Sequence, residues 1–253
     1  MMKKLLTPRW LIGHVLVVLA VIVLINLGLW QLRRLDQRRA LNASILAGLN
    51  APVVVLSGQT VDPQELNRHR VSATGTFDNQ AAVALRNRPF QGQPGVHLVT
   101  PLKIKGSDKA VLVDRGWIPL EDAEPEKWSK YSQTGEVTIN GVAYPGQSRP
   151  EGFLVPTDPT PAPGQAGLDT WFRVDIERIQ EQLPYPLLPV YIEQSPPPGV
   201  TPTTPPLQED NVNVTLDEGP HLGYAIQWFS FGLILVITYA VFIRQELKRG
   251  ENK

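Results

Sequence analysis

Two stretches of this chain, 10–32 and 221–243, carry no formal charge over 23 residues each. At a rise of about 1.5 Å per residue, roughly 20 such residues cross the hydrocarbon core of a bilayer. Within the first stretch, residues 16–25 are an unbroken run of Leu, Val, Ala and Ile. Both stretches are therefore predicted to be transmembrane helices. Lys3 and Lys4 give the first the look of a secretory leader. It is longer than the usual apolar region of about 7–15 residues, however, and runs into Arg33, Arg34, Arg38 and Arg39 in place of a small-residue cleavage site. An uncleaved anchor is expected.

Flanking cations set the orientation of such spans. No Lys or Arg occurs in the fifteen residues before His221, whereas Arg244, Lys248, Arg249 and Lys253 follow the second span. Its C-terminal end is expected in the cytoplasm, and two spans bring the N-terminus there as well. The expected organisation is 1–9 cytoplasmic, 10–32 first span, 33–220 extracytoplasmic domain, 221–243 second span and 244–253 cytoplasmic, as a multi-pass protein of a bacterial plasma membrane. The four arginines after the first span outnumber Lys3, Lys4 and Arg9 before it, which opposes this orientation. A helix continuing along anionic lipid headgroups accommodates them, since Leu32, Leu35 and Leu41 recur among them at helical spacing.

Formal net charge is zero, but both termini are basic and the intervening chain is net acidic. Nucleic acid, which demands clustered Lys and Arg, is not an expected partner. The absence of cysteine removes disulfides, zinc–thiolate sites and thiol nucleophiles. Methionine occurs only as Met1 and Met2, which leaves soft copper(I) without suitable ligands.

Past Gly48 the periodicity shortens to β-like runs broken by Gly, Pro, Asn and Asp. Strands are predicted at 70–77, 81–86, 97–104, 110–118, 136–144, 170–173 and 188–193, with one short helix from about Asp175 to Leu183. The fold class is membrane α+β, two transmembrane helices flanking an antiparallel β-sheet or barrel-like domain. Residues 145–168 resist assignment. The proline-dense segment 195–206 is expected to be a stiff spacer leading back to the membrane.

Histidine is scarce: His14, His69, His97 and His221. His69 and His97 have no partner at ligand spacing and are expected to be structural, and His14 is expected to hydrogen-bond near the cytoplasmic end of the first span. His221 opens the second span, with Tyr224 and Trp228 following on the same helical face. They form either an aromatic belt with a capping histidine or part of a site. At the matching end of the first span stand Asn26, Gly28, Trp30, Gln31 and Arg33. One imidazole, aromatic walls, polar groups and a cation suit a flat, apolar, anionic tetrapyrrole, with His221 as the metal ligand and Arg33 for its propionates; other lipids suit them too. In the domain, Arg115 and Trp117 either face a partner or form an Asp–Arg pair and a core tryptophan. Arg86 to Pro89 form a polar turn, solvated or in contact. No catalytic signature occurs, so an enzyme is not expected.

Taken in order, these segments resemble the surfeit locus protein 1 (Shy) family of cytochrome c oxidase assembly factors. The likeness rests on Gly28-Leu29-Trp30-Gln31 with Arg33, on 71–77 with Gly75, on Arg86 to Pro89, on Gly95-Val96-His97 followed by Thr100-Pro101-Leu102, on 111–119 with Arg115-Gly116-Trp117, and on His221-Leu222-Gly223-Tyr224-Ala225 with Gln227-Trp228-Phe229. The resemblance implies a membrane factor that helps haem a reach the oxidase catalytic subunit without making it. His221 matches the histidine associated with haem a in bacterial relatives, and Tyr224 and Trp228 match the aromatic positions after it. It also implies both termini inside and the domain outside. The alternative is a structural component that stays on the oxidase or a respiratory supercomplex and binds no cofactor.

Overall fold

The computed structural model describes residues 7–148, 158 and 167–251. Most of the unassigned 145–168 segment lies outside these described residues, as do Lys3, Lys4 and Lys253. In chain order the helices are α1 (Pro8–Asn50), α2 (Ile176–Gln180) and α3 (His221–Glu251). The strands are β1 (Val54–Leu56), β2 (Arg70–Phe77), β3 (Val83–Leu85), β4 (Gly95–Ile104), β5 (Ala110–Pro119), β6 (Glu136–Pro145), β7 (Thr170–Trp171) and β8 (Leu187–Gln194). Two compact units result, one of Met1–Ser44 with Leu216–Lys253 and one of Ile45–Thr215.

The first unit is the helix pair. The most apolar windows of α1 and α3 have mean hydropathies of 2.7 and 2.0, and only 6% of each window is buried within the protein. Leu16, Val18 and Ile22 on α1 and Leu233, Ile234 and Ile237 on α3 are all exposed. Apolar surface on this scale needs lipid to cover it, and a helix satisfies its own backbone groups there. The protein is thus a membrane protein. α1 does not stop at Leu32 but continues as helix through the arginine cluster to Asn50.

The two helices run antiparallel, so rising numbers on α1 meet falling numbers on α3. Trp10 stacks on Phe242 at 5.8 Å between ring centroids. His14 Nδ1 lies 2.6 Å from the Tyr239 hydroxyl, the hydrogen bond expected of this histidine. Further along, a Cβ built on Gly232 would lie 3.8 Å from Leu24 Cβ. At Gly28 the approach is closest, because an added Cβ would lie 2.5 Å from the Phe229 ring. Lipid tails are as apolar as leucine, so helices associate in a bilayer through small residues, close packing and polar pairs. Gly28 supplies the first of these.

The second unit is a closed, mixed β-barrel. Strands β2, β6, β8, β5 and β4 follow one another around the wall, and a β2–β4 pairing joins the ends. β1 adds to β2, and β3 and β7 extend from β4. The antiparallel pairing expected from sequence holds for β2–β6, β6–β8, β4–β5, β2–β4 and β3–β4. β1–β2, β3–β7 and β5–β8 are parallel.

Alternation assigns the strand residues to three cores. Val71, Ala73, Val111, Val113, Val190 and Ile192 belong to the first. Leu112, Val99 and Tyr191 belong to the second, packed with Trp171 and with Ile176 and Ile179 of α2. Ala84, Val96, Leu98 and Ile118 form the third with Trp128. β5 is buried along both faces, which explains its unbroken apolar run from Val111 to Val113. α2 is capped by Asp175, whose side chain accepts from Arg178 N at 3.3 Å.

Two sequence expectations change here. Consecutive strand residues point to opposite faces, so Asp114 and Arg115 do not pair. Asp114 Oδ2 lies 2.9 Å from His97 Nδ1, while Arg115 Nη2 donates to the Tyr131 carbonyl at 2.7 Å and its guanidinium sits 4.8 Å from the Phe77 ring centroid. Burial lowers the pKa of Arg115 to about 10. Segment 195–206 is not a free spacer, since both of its flanks are fastened to the barrel. Ser195 N donates to Asn140 O at 3.0 Å, and Leu207 exchanges backbone hydrogen bonds of 2.9 and 2.8 Å with Trp117. Prolines cannot extend a ladder, but the residues beside them keep their N–H donors.

Two predictions follow from this architecture. Because the chain has no cysteine, the double variant Leu24→Cys/Gly232→Cys reports helix contact alone, and 3.8 Å is the usual Cβ separation of a disulfide. Oxidation should cross-link α1 to α3, read as a mobility shift after cleavage between them, and adding Gly28→Val should reduce the yield several-fold. The second concerns Glu193, whose pKa is raised above the ordinary 4.5, chiefly by burial and then by the neighbouring Asp114 charge. A folded-state pKa raised in this way favours the protonated form, so stability falls as pH climbs from 4.5 through the folded pKa. Glu193→Gln should raise the thermal midpoint at pH 8, with the difference vanishing near pH 4.

Candidate functional site

His221 is the first residue of α3, so its position depends on the loop before it. Asp217 Oδ1 accepts from Gly219 N at 2.9 Å, and Gly219 has φ +76°, a conformation glycine adopts without penalty. α1 holds this loop with three side chains. Arg38 Nε and Asn42 Nδ2 each donate to the Asp217 carbonyl at 3.2 Å. Arg39 grips the Glu218 carboxylate through Nε and Nη2, at 3.0 and 2.9 Å. This fork-to-fork geometry fixes direction as well as distance, and the Glu218 carboxylate raises the pKa of the Arg39 guanidinium. Two of the four arginines that disturb the charge count after the first span are therefore employed in holding the loop.

Below this clamp, His221 Nδ1 lies 2.8 Å from Gln31 Oε1. Gln31 is only 9% exposed and Ala225, one turn into α3, 1%, so the contact sits in the seam between the helices. A cleft of about 330 Å³ opens beside it, lined by Arg34, Arg38, Leu41, Glu218, Gly219 and His221 among others. A Cβ on Gly219 would stand 3.4 Å from His221 Nε2 and Cδ2, so that edge of the ring faces the loop and the bare glycine leaves space next to it.

Of the residues singled out from sequence, His221 and Gln31 meet directly. Trp30 and Tyr224 are each 49% exposed, and Trp228 is half-buried and edge-on to Phe231 at 6.1 Å. None of the three lines the cleft. They form apolar flanks next to it, because Trp30 lies one turn before Arg34 on the same face of α1 and Tyr224 one turn after His221. Arg33 is exposed and is not among the residues lining the cleft, to which α1 contributes Arg34, Gln37, Arg38 and Leu41. Helical phase held that signal, since Arg34 is four residues from Trp30 and three from Gln31. Asp217 and Glu218, also missed, were visible as acids facing the arginines across two chain segments.

The remaining candidates have partners within the barrel unit. His69 Nδ1 donates to the Asn67 carbonyl at 3.3 Å, and His97 is held by Asp114. Trp117 is 4% exposed and packs on Phe90 at 5.7 Å. Arg86 and Arg88 are tied to Thr170 and to the Phe172 carbonyl. Among the described residues no group of three or more His, Cys, Asp or Glu is placed to hold a metal ion. What the cleft offers is a single imidazole.

The sequence model of the SURF1 family matches residues 18–233. A SURF1-like protein of Monosiga brevicollis is 29% identical over 245 residues, spanning 92% of this chain and 86% of that protein. SURF1-like proteins of Rickettsia felis and Caenorhabditis elegans are 27% and 26% identical, each spanning 91% of this chain and respectively 96% and 74% of those proteins. The matched region takes in Gly28, Gln31, the whole barrel and His221, and the chain belongs to the SURF1 family.

Proposed function

We propose that this protein assists the assembly of cytochrome c oxidase by holding haem a at the α1–α3 seam and passing it to the oxidase catalytic subunit. The observation that carries this reading is the His221 imidazole, fixed by Gln31 at 2.8 Å and edged onto a cleft with two guanidinium groups. A haem cargo supplies an iron that takes one axial imidazole and two carboxylates that pair with cations. His221 provides the first, Arg34 and Arg38 answer the second, and the exposed Trp30 and Tyr224 offer apolar faces to the macrocycle. At about 330 Å³ the cleft is near the lower limit for a ligand pocket. A cleft of this size encloses only part of such a cargo and leaves it held loosely enough for an enclosed acceptor to take it over. No bond is made or broken in the cargo, so the protein acts without catalysis.

The orientation follows the cations Arg244, Lys248 and Arg249 after the second span: both termini in the cytoplasm, the barrel outside a bacterial plasma membrane, and lipid around the spans. The net-acidic barrel unit, with open grooves of about 660 and 780 Å³, favours a second reading as a lasting oxidase or supercomplex component.

Protein extracted from membranes of cells that make haem a should show haem a absorbance, and His221→Ala should lose most of it and lower oxidase assembly. Equal haem content and equal assembly in the two would discard His221 ligation. Stoichiometric recovery with mature oxidase and no tetrapyrrole absorbance would establish the second reading instead.

A further inference from the structure

We propose that Gln31 is a positioning residue that acts through His221: its side-chain oxygen accepts the Nδ1 proton, which fixes the imidazole tautomer and leaves the Nε2 lone pair as the atom offered to the cleft. The identity of the ligand rests on the function proposed above; the tautomer does not.

The chemistry starts from the atoms. A neutral imidazole carries one N–H and one lone pair, and the partner of one nitrogen decides the state of the other. The atom 2.8 Å from His221 Nδ1 is Gln31 Oε1, an amide oxygen that accepts and cannot donate. Nδ1 is therefore the protonated nitrogen. The opposite tautomer would set two lone pairs against each other in a seam where Gln31 is 9% exposed. Water does not relieve such a clash cheaply at this depth.

The seam on either side of the amide is close-packed. One turn before Gln31, the Phe229 ring lies within 2.5 Å of the place a Gly28 Cβ would take, and Ala225 closes the seam at 1% exposure. On the other side of the imidazole, Nε2 faces Gly219, where a side chain would begin 3.4 Å away. One residue sets the proton and another leaves room for the lone pair. In metal sites the group that accepts the second N–H of a ligating histidine typically changes affinity by about 10–100-fold. Gln31 thus contributes without touching the ligand.

The test uses the full chain in lipid nanodiscs, free of haem and metal, with ¹⁵N-labelled histidine. Four histidines give few resonances, and His221→Ala assigns the one of interest. The wild type should show the Nδ1–H form at His221, and Gln31→Leu should shift that resonance toward Nε2–H or a mixture. An Nε2–H signal in the wild type, or an unchanged signal in Gln31→Leu, overturns the inference. The Leu24→Cys/Gly232→Cys cross-link, formed equally in both backgrounds, shows that the helices still pair.

Ferric protoporphyrin IX then serves as the probe. Gln31→Leu should weaken its binding by about 10–100-fold, and Gln31→Glu, which restores an acceptor, should recover it. In the ferrous complexes the iron–histidine stretching frequency should rise from Leu to Gln to Glu. Porphyrin affinity and stretching frequency independent of residue 31 would also overturn the role. A wild type that shows the Nδ1–H form yet binds no porphyrin would instead sink the haem reading and leave the tautomer assignment standing.

Discussion

The candidate site depends on how closely two helices approach at Gly28. In water, burying leucine and valine would drive α1 and α3 together, but in a bilayer their apolar faces are as content with lipid as with each other. What remains is shape and a few polar pairs. The Phe229 ring occupies the space over Gly28, the His14–Tyr239 hydrogen bond ties one end of the seam and Gln31–His221 ties the other. Each such bond contributes only about 0.6 kcal/mol on average, so no single pair holds the helices alone. Together they set a register in which an imidazole and an amide 190 residues apart arrive within hydrogen-bonding distance.

Much of the fold was legible because bilayer and sheet impose simple periodicities. Uncharged runs gave both membrane helices, and alternation gave seven of the eight strands among the described residues to within a few residues. β1, the three residues Val54–Leu56, was not anticipated. The parallel pairings escaped because alternation states which face a residue occupies and not which neighbour it meets. Asp114 illustrates the limit. Its adjacency to Arg115 invited an ion pair, yet the pleat sends the two side chains to opposite faces and the partner, His97, comes from the next strand.

The site was legible in part. Scarcity and position drew attention to His221, and the matching end of the first span drew attention to Trp30, Gln31 and Arg33. Of the two adjacent arginines it is Arg34 that lines the cleft, because a helix turns by about 100° per residue and proximity along the chain says little about direction. The tension in the arginine count had a local cause that no count contains: Arg38 and Arg39 answer a carbonyl and a carboxylate in the loop before α3. The proline-dense segment misled in another way, since composition reports stiffness but not whether the flanking residues dock.

The place of β8 in the wall constrains how the protein is made. Before residue 187 emerges, the pairings available leave an open sheet ordered β6–β2–β4–β5, with two raw edges ready to seek other strands. The last strand fits between those edges, running parallel to one and antiparallel to the other, and so closes the ring. Synthesis thus proceeds for most of its course with an incomplete wall, and the stretch that completes it is followed within about thirty residues by the second membrane anchor. Chains interrupted upstream of β8 are left as unsealed sheets tethered by one helix, the form that quality-control proteases and chaperones encounter.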